Sequence, residues 1–323
     1  MVDMAESYIK MIGSNRGRRG IRGLWDMSQA GIASISGNPW GAQDYFVDGN
    51  RSTTSGDGKS WETAFQSLSE AITASNITIV AGANRWWARR NRIFACGDQE
   101  LTEDLTIFPE KCDVIGVGYD VEPQPRITGT HILAAVATGK ARGTRFFNCG
   151  FMNNAAGPTI HLKTDEMGVE FHYCNFWPLV TGSTHCILLA DDNRAFKMTN
   201  CRIMCNAGEP AGGIFAECIK ISGTGQHDML ISNNYMYGTE GIEIEAGTGG
   251  YNTIIEYNLI RATVLTIKDT AGLAIVRGNH LITAADADTI TVALTVTEDL
   301  AIDNTITHSG TDKSERYPLL TTT

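Results

Sequence analysis

Along most of this chain, apolar and polar residues alternate in short runs. Thr159-Ile160-His161-Leu162-Lys163 is followed by Cys186-Ile187-Leu188-Leu189-Ala190 and Cys218-Ile219-Lys220-Ile221-Ser222. Gly241-Ile242-Glu243-Ile244-Glu245 and Val264-Leu265-Thr266-Ile267-Lys268 continue the set. A period of two predicts strands with one buried and one wet face. A second series interleaves with the first. Phe146-Phe147-Asn148-Cys149-Gly150-Phe151 returns as Phe171-His172-Tyr173-Cys174-Asn175-Phe176 and as Met198-Thr199-Asn200-Cys201-Arg202-Ile203. Ile231-Ser232-Asn233-Asn234-Tyr235-Met236 follows, and residues 255–260, 276–281 and 301–306 complete the series. The fourth residue of each copy is Cys149, Cys174, Cys201, Asn234, Asn258, Asn279 and Asn304, at intervals of 21 to 33 residues. Such a repeat of strand-forming residues marks a solenoid, and two aligned strand series per turn predict a parallel β-helix.

Rungs of a β-helix lie about 4.8 Å apart, so a repeated position becomes a vertical column. An Asn column lets each side-chain amide bond its neighbour and satisfies buried polar groups at a sharp turn. A Cys fits the same small inward space without needing partners. The column begins with thiols and finishes with amides. Where Cys201 meets Asn234, backbone groups or a water are expected to replace the missing amide neighbour.

Residues 1–43 carry no repeat. Met4, Tyr8 and Met11 fall on one face of a short amphipathic helix, and residues 14–23 are rich in Gly and Arg. Leu24, Trp25, Ile32 and Ile35 are scattered apolar anchors. An arm with so little core of its own is expected to dock on its own body, a symmetry mate or a partner. Arg16, Arg18, Arg19, Arg22 and Trp25 are the candidate contacts. Residues 44–50 read as a strand ending in a turn. Residues 61–75 read as a helix with Phe65, Leu68 and Ile72 on one face, expected to cap the solenoid against end-to-end association. Residues 84–92 place Arg85, Arg89, Arg90 and Arg92 around Trp86 and Trp87. Three readings fit them: a protein interface, indoles packed on the solenoid with solvated Arg heads, or a polyanion or sugar contact.

Composition adds the setting. The 323 residues favour one elongated domain, residues 44–310, with an arm before it and a tail at 311–323. Hydrophobic content of 42% supports a packed core. No stretch has the length of a membrane span, and the first residues lack the apolar core of a secretory signal. The net charge of −10 disfavours general nucleic-acid binding. Residues 1–43 carry five basic and three acidic groups, +2 in sum, which leaves −12 on the remainder. A mildly basic arm on an acidic body is suited to anchoring on an acidic surface. There are eight cysteines, no CxxC and no Cys/His group with zinc spacing. Three of the eight share the column position, so they read as buried reduced thiols in a reducing compartment.

Asp44 to Ile72 (DYFVDGNRSTTSGDGKSWETAFQSLSEAI) resembles the opening of right-handed parallel β-helix proteins of the pectate-lyase-like class. In that class a strand, a Gly/Asp loop and a Trp-led helix precede the coils. Residues 95–118, with Leu105-Thr106-Ile107-Phe108-Pro109 and Val114-Ile115-Gly116-Val117-Gly118, look like its first full coil, and the Asn column looks like its asparagine ladder. The resemblance covers residues 44 to about 310. It implies an all-β fold, a single-stranded right-handed parallel β-helix with an N-terminal arm and a capping helix. The class includes lyases, hydrolases, phage tailspikes and non-enzymatic virion proteins, so the resemblance carries fold and leaves activity open. The basic arm resembles the virion-attachment arms of phage structural proteins.

Hydrolysis of a polysaccharide needs two carboxylates about 5–9.5 Å apart in a groove. Asp191-Asp192 looks like the paired aspartates of polygalacturonase-like enzymes, but that family's Gly-His-Gly and Arg-Ile-Lys segments are absent, and the pair reads as a turn. Glu243 and Glu245 share the outer face of one strand. Lys220 beside Glu243 and Lys268 beside Glu245 make a cross-strand charge ladder the plainer reading. Glu240 and Glu256 add acid nearby and keep a catalytic alternative. No calcium nest is built by His161, Lys163, Leu188, Ala190, Lys220 and Ser222. The seven histidines show no metal spacing, with His161 and His185 expected on adjacent rungs.

The sequence therefore leads to a non-enzymatic structural protein of a tailed-phage virion, assembled in the host cytoplasm. The expected form is a homotrimer with no cofactor, metal, nucleic acid or membrane insertion. Its arm would hold capsid or tail proteins, and residues 317–320 would be available for exchange between subunits. The alternative is a tailspike depolymerase or host-glycan adhesin using Glu243, Glu245, Glu240 or Glu256.

Overall fold

The computed structural model describes residues 42–51, 55–81, 90–97, 100–107, 109–118, 124–133, 143–163, 168–190, 193–204, 213–245, 252–269, 274–283, 300–308 and 311–317. These form a parallel β-solenoid with one helix. The seven column positions from Cys149 to Asn304 mark about six turns.

Ten strands stack in the first sheet: Asp44–Val47, Asn91–Cys96, Cys112–Val117, Arg145–Phe147, Glu170–His172, Lys197–Thr199, Leu230–Ser232, Thr253–Glu256, Ala274–Arg277 and Leu300–Ile302. The second sheet has 14 strands and carries two rows. One row runs from Glu100–Thr102 through Gly150–Asn153 and Asn175–Pro178 to Asn304–His308. The other holds His131–Leu133, Ile160–Leu162, His185–Ala190 and Phe215–Ser222. The long strands Tyr235–Ile244 and Leu259–Asp269 join the two rows.

Register builds the core as columns. Tyr45, Ile93, Val114, Phe146, Phe171, Met198, Ile231, Ile255 and Val276 occupy successive rungs, and all are buried. Phe146 stacks on Phe171 with centroids 5.1 Å apart, and Phe151 on Phe176 at 5.4 Å. On the facing row Ile160, Ile187, Ile219, Ile242 and Ile267 form a second buried column. Fully burying one such side chain contributes about 1.5–3 kcal/mol.

Left-handed corners flank both ends of the five first-sheet strands from Arg145–Phe147 to Thr253–Glu256, and one end of Cys112–Val117, Ala274–Arg277 and Leu300–Ile302. Asn148, Tyr173, Asn200, Asn233, Tyr257, Gly278 and Asp303 all have φ between +53° and +63°, each one residue before a column position. Lys111, Gly143, Gly168, Ala195, Asp228 and Asn252 make the corresponding corner on the other side. Asn, Asp and Gly tolerate this conformation, whereas Tyr and Ala adopt it under strain that the surrounding stack must hold.

The column inside the first corner is hydrogen-bonded from rung to rung. The backbone N–H groups of Cys201, Asn234, Asn258 and Asn279 donate to Oδ1 of Asn234, Asn258, Asn279 and Asn304 at 2.8–3.0 Å. Each Asn Nδ2 also donates to a carbonyl on the rung before it: Met198, Ile231, Ile255 or Val276. The thiol rungs reproduce a weaker version. Cys174 N–H donates to Cys201 Sγ at 3.4 Å, and Cys201 Sγ–H reaches the Phe171 carbonyl at 3.4 Å. At the junction the Cys201 backbone N–H supplies the partner that Asn234 Oδ1 would otherwise lack. Cys96, Cys112, Cys149, Cys174, Cys186, Cys201 and Cys218 are free thiols, and all but Cys96 are buried. Burial pushes the thiols of Cys149, Cys186 and Cys201 well above their ordinary range.

The helix spans Leu68–Ala81, shifted from the expected 61–75. Its start is fixed by a capping box: Glu70 N–H donates to Ser67 Oγ at 3.2 Å, and Ser67 N–H donates to Glu70 Oε2 at 3.2 Å. Residues 61–67 instead form turns, and Phe65 makes a parallel bridge with Val47. A second anchor comes from a later coil. The Glu103 carboxylate accepts Leu68 N–H at 2.7 Å and Ser69 N–H at 2.9 Å. Leu68, Ala71, Ile72 and Ile79 are buried, while Ile77 stays exposed. At the other end Thr311–Tyr317 turns back antiparallel on Asn304–His308, so part of the expected tail is a strand.

Candidate functional site

The first candidate face lies where the two rows of the second sheet meet. At three successive rungs an outward residue is followed by two residues on the inner side and another outward residue. These are His185 and Leu188, Glu217 and Lys220, and Glu240 and Glu243. The doubled inward step bends each strand and makes the outer side chains converge. Gly241 sits at the tightest point: a Cβ there would lie 2.2 Å from the Thr266 carbonyl oxygen and 2.5 Å from Ile260 Cγ2.

Carboxylate oxygens of Glu217, Glu240 and Glu243 come within 4.8 Å of one another. Lys220 Nζ bridges Glu243 at 3.0 Å and Glu245 at 2.8 Å, and Lys268 Nζ reaches Glu243 at 2.5 Å. Burial raises the Glu243 carboxyl, but the bonds from Lys268 and Lys220 outweigh it and hold the group below the usual range. Glu217 moves the other way: burial and the neighbouring Glu243 and Glu240 raise it against the pull of Lys220. His185 Nε2 stands 3.4 Å from Glu217, and burial together with Lys220 lowers its imidazole to about 4. Three carboxylates so close are able to share a cation, and for Glu243 the two lysine ammoniums already fill that place.

Register corrects one sequence expectation here. Lys268 pairs with Glu243, not with Glu245. A bulge between Gly238 and Glu240 shifts the pairing by one residue, and Lys268 ends two residues from its expected partner. His161 and His185 lie on adjacent rungs as expected, offset along their strands: His161 pairs with Ile132 and Leu188, and His185 with Glu217. Glu217 was not singled out from the sequence. Its signal is the Glu-Cys-Ile-Lys spacing, in which two inward residues put Glu217 and Lys220 on one face.

Glu256 belongs elsewhere, on the outer face of the first sheet, where Arg277 holds it at 2.6 Å. It helps line a cleft of about 770 Å³ together with Glu170, His172, Lys197, Ser232 and Tyr257. Tyr257 is 59% exposed at a left-handed corner, and its ring lies against Gly278, where a Cβ would meet Cε1 at 2.7 Å. His172 bonds Thr199 Oγ1 through Nδ1 at 2.7 Å and Glu170 through Nε2 at 2.8 Å, and Lys197 bonds Glu170 at 3.1 Å. Burial pushes Glu170 upward, yet His172 and Lys197 prevail and set it at about 2. Glu170 and Glu256 stand three rungs apart, roughly 14 Å at the strand spacing. That exceeds the span of a hydrolytic pair.

The cleft continues a charge column that the sequence analysis missed. Asp44, Arg92, Asp113, Arg145, Glu170 and Lys197 occupy successive rungs with alternating sign. Arg145 binds Asp113 through Nε and Nη2, both at 2.8 Å. Arg90 joins them, at 2.6 Å from Asp113 and 2.8 Å from the Gly143 carbonyl. Seen strand by strand these charges look scattered, and only the register aligns them. Arg16, Arg18, Arg19, Arg22, Trp25, Arg85, Trp86, Trp87 and Arg89, with Asp191 and Asp192, lie outside the described residues.

No family model matches the chain, and no curated protein matches it.

Proposed function

We propose that this protein is a non-enzymatic structural component of a tailed-phage virion. In this reading a right-handed β-helix projects as a homotrimer from capsid or tail, residues 1–43 anchor it, and Leu68–Ala81 caps the solenoid. The observation that carries the non-enzymatic part is mutual compensation of the outer charges. Asp113 is held by Arg90 and Arg145, Glu170 by Lys197, Glu243 by Lys220 and Lys268, and Glu256 by Arg277. Paired in this way the carboxylates hold rungs in register, and they are poorly placed to exchange protons with a substrate. Support for the virion part is the contrast between a basic arm and an acidic body, an arm that resembles the virion-attachment arms of phage structural proteins. Deleting residues 1–43 is expected to abolish incorporation into particles while the solenoid still folds. Normal incorporation would end the anchoring hypothesis.

A second reading, a glycan-binding or glycan-cleaving surface, is favoured by two observations. Tyr257 presents an exposed ring over a polar cleft, and Glu217 is a raised carboxyl close to Glu240. Incubation with capsular polysaccharide or lipopolysaccharide separates the readings. Cleavage that is lost in Glu217→Gln or in Glu243→Gln/Glu245→Gln replaces the structural proposal with the enzyme.

A further inference from the structure

The cleft on the first sheet holds a carboxylate, an imidazole and a hydroxyl bonded in that order. Glu170 and His172 lie two residues apart on one strand, so alternation puts both on its outer face. Thr199 is the register partner of His172 on the next rung. His172 Nε2 stands 2.8 Å from Glu170 Oε2, and its Nδ1 stands 2.7 Å from Thr199 Oγ1. Glu170 is held at about 2, so at neutral pH it is ionised and accepts the Nε2 proton. The Nδ1 lone pair is then left to accept the Thr199 hydroxyl. Phe147 stacks on the His172 ring with centroids 5.0 Å apart, and the imidazole is buried, which fixes its plane. Thr199 is half-buried and lines the cleft with Asn200 and Ser232.

We propose that Glu170, His172 and Thr199 form a relay in which Thr199 Oγ1 is a nucleophile toward the carbonyl carbon of an uncharged carboxylic ester bound in the cleft. A bond forms between Oγ1 and the acyl carbon, and the hydroxyl proton passes to His172 Nδ1. The bond to the leaving oxygen breaks, and that oxygen takes the proton from Nδ1. The products are acylated Thr199 and a free alcohol, with no change of oxidation state. Asn200 follows Thr199 at a left-handed corner and lines the same cleft, so its side-chain amide offers a donor to the oxyanion. The volume of about 770 Å³ is that of a small-molecule site, and Leu230 and the exposed Tyr257 ring give the ligand apolar contact. The charges of the cleft are paired, Arg145 with Asp113, Lys197 with Glu170 and Arg277 with Glu256, which favours an uncharged ligand. A paired carboxylate exchanges no proton with a substrate, and none is required of it here: Glu170 stays ionised throughout and positions His172. An acylated Thr199 is a covalent attachment point that a structural protein can carry, and it is independent of whether the chain belongs to a virion.

The test incubates the full chain with p-nitrophenyl acetate and follows nitrophenolate release together with peptide mass spectrometry. A burst of release and an acetyl group on Thr199 are expected. Thr199→Val keeps the branched shape and should lose both, whereas Thr199→Ser should keep both. His172→Gln should slow acetylation at this position by about a hundredfold or more. Glu170→Gln should lower the saturating rate at least about tenfold and leave the half-saturating ester concentration unchanged, a split that a merely structural carboxylate would not produce. Hydrogen exchange at the Asn234 amide should match the unaltered chain in every variant, which shows that the solenoid still folds. No acetyl group on Thr199 in the unaltered chain, or an unchanged rate in His172→Gln, overturns the proposal. Release that continues beyond the burst and is lost in Thr199→Val also supports the nucleophile, and it replaces the non-enzymatic part of the proposed function with an esterase.

Discussion

Removing one amide from the ladder tests the central structural argument. The Asn258 side chain makes four hydrogen bonds. Nδ2 donates to Ile231 O and Asn279 Oδ1, both at 3.0 Å. Oδ1 accepts the Asn234 N–H at 2.9 Å and Asn234 Nδ2 at 3.0 Å. In Asn258→Leu the branched outline and heavy-atom count are kept, the side chain is somewhat bulkier, and these bonds are lost. The Asn234 N–H and the Ile231 carbonyl are then buried without their ladder partner. Each such orphan costs about 1–3 kcal/mol, so the loss is about 4 kcal/mol. Asn258→Cys is smaller than leucine, yet the earlier rungs show a thiol accepting an N–H and reaching a carbonyl. It should lose only about half as much. Urea midpoints are expected to fall in the order Asn, Cys, Leu, and exchange at the Asn234 amide should quicken by about a thousandfold in the Leu variant. If leucine proves more stable than cysteine, filled volume rather than hydrogen bonding holds the corner, and the argument fails.

Four further outcomes are expected. Glu103→Ala should cost about 1–2 kcal/mol and loosen the helix at Leu68 and Ser69, read as lost helical circular dichroism on mild heating. Gly241→Ala should destabilise by about 3 kcal/mol or more, because its Cβ meets backbone rather than a movable side chain, and thermal unfolding would show it. Glu170 is held at about 2 when folded, below the ordinary carboxylate value of 4.5, so its contribution is complete above pH 4.5 and fades toward pH 2. That contribution is about 3 kcal/mol, and Glu170→Gln should flatten this part of the stability–pH curve. In site-resolved thiol labelling of the native protein, Cys96 should react before Cys112, Cys149, Cys174, Cys186, Cys201 and Cys218.

The repeat was legible because solenoid positions that stack in space also recur in sequence. Cys149 through Asn304 identified the corner, and the first four members of the Ile160 series fall in their expected register. The fifth did not, since the bulge near Gly238 adds a residue to the pairing and Ile242 meets Ile267 instead of Leu265. The helix start escaped because Trp61 and Phe65 imitate an apolar face, while the Ser67–Glu70 box decides where the backbone turns helical. The charge column from Asp44 to Lys197 was hidden for another reason. Its members are separated by 21 to 48 residues with intervening loops of unequal length, so no fixed period reports them. Glu217 was overlooked because a carboxyl's environment depends on neighbours from other rungs.

The change from thiol to amide at Cys201 and Asn234 gives the molecule a direction. Coils before the change rest on stacked Phe146, Phe171, Phe151 and Phe176 and on weak sulfur contacts. Coils after it are laced by paired amide bonds. Nearest-neighbour coupling governs such a rod, so opening spreads one coil at a time from its weaker side. Cold and pressure weaken apolar burial more than hydrogen bonds. Under either, the molecule should fray from the aromatic end toward a surviving amide-laced stub, and the boundary should stop near Asn234.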